Sequence, residues 1–357
     1  MNKHNILFTG GGSAGHVTVN TALIPHFEKE GWRVTYIGSE NGIEKEIITD
    51  QFPHIPYESI SSGKLRRYFS WKNFTDPFRV MKGVFDALSV IRKTKPDIIF
   101  SKGGFVSVPV VMAAKMAKVP VAIHESDVTP GLANKLAVPF ATKIFTTFPE
   151  TVKALPKEKS LCAGAIIREE LFKGDASEGK RLSGFYEEKP VLMIMGGSLG
   201  ARKINEAVRE NLDDLLAQFQ IIHICGKGNI EDQFTQKGYR QYEFIKADLP
   251  HFLAMTNYVI SRAGSNSIFE FLALKKPMLL IPLSREASRG DQILNADSFV
   301  KHGYAIKLEE EELTKESFMN KVNELKGSGE TILSNMRNGQ KAYTIQDMYQ
   351  ELAAMSK

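Results

Sequence analysis

The sequence predicts an α/β protein built as two doubly wound parallel sheets in tandem. Three observations predict it: short apolar runs alternate with helix-length stretches, a strand–glycine turn–helix unit opens each half, and 357 residues are long for one core. Parallel strands need crossovers, and crossover helices cover both faces of the sheet.

The first half opens with a strand at Ile6–Phe8, the turn Gly10-Gly11-Gly12-Ser13-Ala14-Gly15-His16 and a helix over Val17–Phe27. Glycines let the backbone approach closely, and the first amides of a helix lack intrahelical acceptors, so such a turn can face an anion. Gly10, Gly12 and Gly15, with Glu40 beyond the strand Val34–Ile37 as a ribose acceptor, also satisfy a dinucleotide fingerprint, which raises an NAD-dependent oxidoreductase as one alternative. Tight strand-to-helix packing is the structural alternative. Further strands are expected at Ile98–Phe100, Val121–Ile123 and Ile144–Thr147, with helices over Gly42–Asp50, Phe78–Thr94 and Val108–Lys118.

A charged, proline-bearing connection at Ala154–Lys159 leads into a strand at Cys162–Ile167, and Gly174–Gly184, rich in glycine, serine and charge, precedes the second opening unit. That unit is Val191–Met195, the turn Gly196-Gly197-Ser198-Leu199-Gly200 and a helix over Ala201–Phe219. Strands follow at Ile221–Cys225, Glu243–Ile245, Tyr258–Ser261, Met278–Ile281 and Ala305–Lys307. The tail from Ile332 to Ser356 reads as helix with Ala342, Ile345, Met348, Tyr349 and Leu352 apolar; with no strand left to cover, it can pack back on the first domain. The expected domains are residues 1–160, 161–337 and a returning helix at 338–357.

Hydrophobic content of 43% and charged content of 24% exclude the disordered and coiled-coil classes. A net charge of +5 suits an anionic substrate, a nucleic acid or an anionic membrane surface and selects none of them. Cys162 and Cys225 stand singly without metal-ligand spacing, as buried thiols of a reducing compartment do. Met1–Phe8 enters a strand without a secretory apolar region, and no apolar run approaches about 20 residues, so membrane contact is expected to be peripheral.

Four stretches carry chemistry. Small residues at Ala263-Gly264-Ser265, after a strand and before a helix, allow phosphate oxygens to reach helix-start amides, and Glu270 can accept from two ribose hydroxyls; an N-capped core helix is the alternative. Asp291, Gln292 and Asn295 cluster acid and amide groups suited to sugar hydroxyls, or to capping. Gly103-Gly104, preceded by Ser101-Lys102, forms a second anion-facing turn in the first domain. Lys64, Arg66, Arg67 and Lys72 lie among Leu65, Tyr68, Phe69 and Trp71 ahead of an amphipathic run, which reads as a membrane-surface anchor or as a solvated loop.

Taken with His124-Glu125-Ser126-Asp127 and Pro130-Gly131-Leu132-Ala133-Asn134-Lys135, these motifs resemble, along nearly the whole chain, the MurG family. Its members transfer N-acetylglucosamine from UDP-N-acetylglucosamine to lipid I at the inner membrane face. The resemblance implies a GT-B glycosyltransferase, two Rossmann-like domains facing a cleft, with the acceptor on the first and the nucleotide sugar on the second. It places Ile245 at the uracil, Glu270 at the ribose, Ser198 with Ala263, Gly264 and Ser265 at the diphosphate, Arg168 near the nucleotide, and Gln292 and Asn295 at the sugar. Ser13, Ala14, Gly15 and Asp127 line the donor side of the first domain; Asp127 stands where the family often has asparagine, and Ala14 where it usually has glycine. Gly103 and Gly104, with Lys64, Arg66, Arg67 and Trp71, belong to the acceptor and membrane side.

No D-x-D metal motif lies beside a strand, so backbone amides and a helix N-terminus are expected to stabilise the leaving UDP. No tightly bound cofactor or metal is implied; a divalent cation is left as an aid to turnover. An inverting transfer to a C4 hydroxyl needs a base, for which His16 is the candidate, with Glu125 or His124 as competitors. The expected partners are UDP-N-acetylglucosamine, lipid I, the cytoplasmic face of the cell membrane with its anionic lipids, and cell-wall synthesis proteins, without nucleic acid. Another UDP-sugar glycolipid transferase, of the diacylglycerol type, and a non-catalytic nucleotide-sugar-binding module remain the alternatives at this point.

Overall fold

A computed structural model describes residues 4–63, 72–197, 200–286, 290–339 and 343–356. The chain divides into two compact units, Met1–Ile167 with Lys341–Lys357, and Arg168–Gln340. The first break falls later than the expected 160, because the strand at Ser160–Cys162 closes the edge of the first sheet.

Unit 1 contains strands β1 (Asn5–Thr9), β2 (Arg33–Ser39), β3 (Tyr57–Ile60), β4 (Ile98–Ser101), β5 (Val121–Glu125), β6 (Lys143–Thr146) and β7 (Ser160–Cys162). Its helices are α1 (Gly15–Lys29), α2 (Ile43–Gln51), α3 (Lys72–Thr94), α4 (Ser107–Met116), α5 (Leu132–Ala137) and α6 (Pro149–Val152). The sheet is parallel in the order β3-β2-β1-β4-β5-β6-β7. Alternate residues feed two buried clusters. Ile6, Phe8, Ile98 and Phe100 face α1, while Leu7, Ile99, Val121 and Ile123 face α3 and α4. Strand β3, Tyr-Glu-Ser-Ile, is a short edge strand whose mixed composition hides it from a search for apolar runs.

Unit 2 contains α7 (Ala176–Ser183), β8 (Val191–Met195), α8 (Arg202–Glu210), α9 (Leu212–Leu216), β9 (Gln220–Ile224), β10 (Tyr239–Tyr242), α10 (Leu249–Met255), β11 (Tyr258–Ser261), α11 (Ser265–Ala273), β12 (Met278–Leu280), α12 (Asp291–Lys301), β13 (Ala305–Lys307) and α13 (Lys315–Asn338). Its parallel sheet runs β10-β9-β8-β11-β12-β13. Three expectations shift here. Gly174–Gly184 contains helix α7, with the Asp175 carboxylate accepting the Ser177 amide at 2.8 Å and Gly184 closing it in the left-handed region. The helix expected over Ala201–Phe219 divides at Asn211, and the strand expected at Glu243–Ile245 lies at Tyr239–Tyr242.

The tail is two helices, not one. Helix α13 ends at Asn338 in unit 2, and α14 (Ile345–Ala353) packs on α1 in unit 1. Ile345, Met348 and Leu352 bury one face of α14, and Trp32 donates its indole N–H to the Tyr349 hydroxyl at 3.2 Å. Both helices start at threonine capping boxes, Thr314 with Ser317 and Thr344 with Asp347.

In each sheet the strand order reverses once, between β1 and β4 and between β8 and β11. Open α/β sheets bind ligands beyond the carboxyl ends of the strands at such a reversal. The four glycine-bearing turns singled out in the sequence, at residues 10–15, 103–104, 196–200 and 263–265, follow the strands that flank these reversals.

Candidate functional site

In unit 2, β11 delivers its chain to Arg262 and the turn that starts α11. Arg262 is buried; its guanidinium donates to the Ile281 and Pro282 carbonyls at 3.1 and 3.2 Å and pairs with the buried Glu310. The turn is thereby tied to the end of the neighbouring strand β12. Gly264 occupies the N-cap of α11 with no side chain bonded to it, and no described atom lies within 4 Å of where a Cβ there would stand. A helix start whose N-cap is glycine, with no side chain to cap it, can face an anion, which the helix dipole favours further.

One and a half turns on, Glu270 accepts from Arg168 Nε at 3.1 Å and Nη2 at 3.0 Å, both on Oε1. Burial raises the carboxyl above its ordinary range, and Arg168 opposes that rise. Gln292, at the start of α12, accepts the Leu283 amide at 3.1 Å through its Oε1. Asn295 packs against the turn. It is fully buried, and its amide donates to the Ala263 carbonyl at 3.1 Å, so it holds the turn from behind. Ile245 lies beyond β10, next to the exposed Phe244. Ser198 is outside the described residues.

Sequence reasoning missed a polar network beneath the turn that follows β8. Asn205 of α8 donates to the Cys225 carbonyl at 3.0 Å, so its Oδ1 accepts from His223 Nε2 at 3.0 Å and His223 Nδ1 accepts from the Tyr239 hydroxyl at 2.7 Å. Burial pushes His223 down to about 3, and the ring stays neutral. The Cys225 carbonyl lies 2.2 Å from where a Cβ on Gly200 would stand, which explains the glycine there. Burial also raises the Cys225 thiol to about 11, so it stays protonated.

In unit 1 the two glycine turns interlock. The Gly11 amide donates to the Gly103 carbonyl at 3.2 Å, and a Cβ on Gly104 would sit 2.0 Å from the Gly11 carbonyl oxygen. The next amide, of Gly12, donates to Glu44 Oε2 at 3.0 Å. Glu44 sits in the first turn of α2, fully buried, and also accepts the Ser39 amide at 2.9 Å and the Ser39 hydroxyl. These hydrogen bonds lower its carboxyl despite burial, so it remains ionised. Two amides of the expected phosphate cradle are therefore already engaged within the unit. Glu40, the expected ribose acceptor of a dinucleotide site, is an exposed turn residue; the acid that reaches the glycine turn is Glu44.

Past these amides come Ser13, Ala14 and Gly15, where α1 begins without a side-chain cap, and then His16. Its Nδ1 lies 2.9 Å from the Gly11 carbonyl, which can only accept, so Nδ1 carries the proton and Nε2 the lone pair. Burial, seconded by the ammonium of Lys102, lowers its basicity below that of an ordinary histidine.

The competitors differ in kind. Glu125 is buried, and its two oxygens accept the amides of Asp127 and Gly131 at 3.0 and 2.9 Å and the Asn134 side chain at 2.8 Å. It clamps the loop from Ser126 to Asn134. His124 lies in the core against Phe100, held well below an ordinary histidine by burial. Lys64, Arg66, Arg67 and Trp71 are outside the described residues. Beyond them α3 exposes Phe78, Met81 and Phe85 at helical spacing, with Arg79 and Lys82 exposed alongside.

Comparison with known proteins resolves the class. The glycosyltransferase family 28 N-terminal domain matches residues 6–146 and its C-terminal domain residues 191–351. A Clostridium tetani protein named UDP-N-acetylglucosamine–N-acetylmuramyl-(pentapeptide) pyrophosphoryl-undecaprenol N-acetylglucosamine transferase is 56% identical, covering 94% of each chain. A Bacillus cereus transferase 2 of the same name is 58% identical over 98% of this chain and 99% of its own. The chain belongs to the MurG family. It is a glycosyltransferase of the GT-B fold, as the crystal structure of MurG from Acinetobacter baumannii also indicates, with a TM-score of 0.79 at 22% identity over 98% of this chain and 99% of that one. Membership removes the oxidoreductase alternative, which the exposed Glu40 and the internally bonded Gly12 amide already disfavoured.

Proposed function

We infer that the chain transfers N-acetylglucosamine from UDP-N-acetylglucosamine to the C4 hydroxyl of the N-acetylmuramoyl-pentapeptide of lipid I, forming lipid II with inversion. The carrying observation is the uncapped Ala263–Ser265 turn at the reversal of the second sheet, with Glu270 one and a half turns along the same helix. Near-full-length relatives named for this reaction support the substrate pair.

The diphosphate takes the turn amides, the ribose hydroxyls donate to Glu270, and Gln292 reads the sugar. Arg168, bonded to Glu270, is the arginine assigned to the nucleotide. The acceptor C4 oxygen attacks the anomeric carbon as the bond to the β-phosphate oxygen breaks. UDP leaves with that electron pair, stabilised by the helix-start amides, and the hydroxyl proton passes to Nε2 of His16. An imidazole kept neutral by its surroundings is in the state this step requires. No residue is assigned to a metal or other cofactor.

The exposed Phe78–Met81–Phe85 stripe with Arg79 and Lys82 supports peripheral attachment to the cytoplasmic face of the cell membrane. No described helix is long and apolar enough to cross a membrane. The decisive assay offers labelled UDP-N-acetylglucosamine or UDP-glucose with a short-chain lipid I analogue. Transfer from the first alone is expected; donor binding without any glycosylated product would overturn the reading.

A further inference from the structure

We propose that Lys102 is a positioning residue for the transfer step: its buried ammonium, bonded to Ser126 and carried on a backbone that meets the His16 backbone at Gly10, opposes positive charge on the imidazole and pins the loop after β5. The proposal rests on His16 being the base.

The geometry is a short chain of contacts at the reversal of the first sheet. Lys102 follows β4, and its amide donates to the Thr9 carbonyl at 2.9 Å, strapping it to the end of β1 just before the glycine turn. A Cβ on Gly10 would lie 3.1 Å from Lys102 Cβ and 2.5 Å from the His16 carbonyl, so only glycine lets these backbones meet. The His16 ring hangs on the Gly11 carbonyl, and the Gly11 amide is held by Gly103, the neighbour of Lys102. Ring, turn and lysine backbone form one connected piece.

The Lys102 side chain is not a surface cation. The residue is 2% exposed, and its Nζ donates to Ser126 Oγ. Ser126 lies between Glu125, which clamps the loop, and Asp127. Burying an ammonium is costly unless its surroundings offset the loss of water, and a methionine or leucine would fill the space without that cost. Burial lowers Lys102 to about 8, with Glu125 and Asp127 favouring the charged form, so at neutral pH the ammonium is retained.

Three charged groups act on His16 from the elements around it. Lys102 after β4 disfavours the imidazolium, while Asp127 after β5 and Glu44 of α2 favour it. Burial and Lys102 prevail, and the ring rests as a free base. Without the ammonium, the two carboxylates would act unopposed and His16 would begin to protonate at higher pH.

The test compares the full-length protein with Lys102→Met, reading the His16 imidazole titration by NMR, assigned by its loss in His16→Gln. It also follows kcat/KM against pH with UDP-N-acetylglucosamine and a short-chain lipid I analogue. Expected is an upward move of the imidazole midpoint, matched by an equal upward move of the acid limb. Lys102→Gln, which keeps a donor for Ser126, should shift both in the same direction and serves if methionine does not fold. Ser126→Ala retains the ammonium and should leave the midpoint low while reducing kcat. An unmoved imidazole midpoint overturns the proposal. A moved midpoint with an unmoved acid limb upholds the Lys102–His16 pairing and removes His16 from the base role, which separates the two readings.

Discussion

The same strand–glycine turn–helix device opens both units, yet the turns at the two sheet reversals are finished differently. In unit 1 the Gly11 and Gly12 amides are taken by Gly103 and by the Glu44 carboxylate, so the chain supplies its own anion. In unit 2 the Gly264 turn is uncapped and opens into space, with Arg262 and Asn295 holding it from behind. A glycine fingerprint therefore encodes close backbone approach; whether a ligand or a side chain fills the cradle depends on residues distant in sequence. On the proposed function, the first turn presents the base and the second receives the diphosphate.

The comparison can be broken most severely at Gly104. Its φ of +85° and the Gly11 oxygen, 2.0 Å from where a Cβ would stand, leave no room, so Gly104→Val should destabilise unit 1 by about 3 kcal/mol or more. Urea unfolding followed by tryptophan fluorescence reads this unit selectively, because Trp32 and Trp71 are the chain's two tryptophans. An unchanged midpoint would mean the turns do not interlock. Next, His16→Ala should lower turnover about 100-fold or more while UDP affinity, a property of unit 2, holds. Equal losses in both would end the division of labour between the turns.

On the open side, Glu270→Gln should weaken UDP binding about 10- to 100-fold, the worth of hydrogen bonds to a charged acceptor. Calorimetric titration measures it, and full retention of affinity would remove Glu270 from the ribose. The smallest effect is expected at the internal anion. The Glu44 carboxyl is lowered in the folded protein, so its stabilisation is present above the ordinary value of 4.5 and is lost as pH falls through the lowered folded value. Glu44→Gln should cost unit 1 about 1–2 kcal/mol at neutral pH and flatten the acid dependence below pH 4.5. Parallel acid profiles for parent and variant would place the pH dependence elsewhere.

Much of the fold is legible in the sequence because it depends on local pattern. Buried parallel strands read as apolar runs, and β1, β5, β8 and β11 lie where those runs predict. Edge strand β3 and helix α7 escape because their composition is mixed, and their stability comes from pairing and capping instead of an apolar signal. The site shows the same limit. Asn295 carries the right chemistry for a sugar, but burial commits it to the Ala263 carbonyl. Glu44 looks like an ordinary charge and Lys102 like part of an anion-facing turn, since only the crossing of β1 with its neighbours brings both to the first glycine turn and buries them.

By itself, the sequence determined the fold class and the position of the glycine turns, because periodicity and turn chemistry act over a few residues at a time; the family came from the resemblance of its motifs to known ones. Tertiary structure alone decided which turn is filled from within, which acid and which lysine are buried near the glycine turn that precedes His16, and which amide holds the second turn. Those outcomes depend on desolvation and on hydrogen-bond partners that sheet topology brings together from positions tens of residues apart.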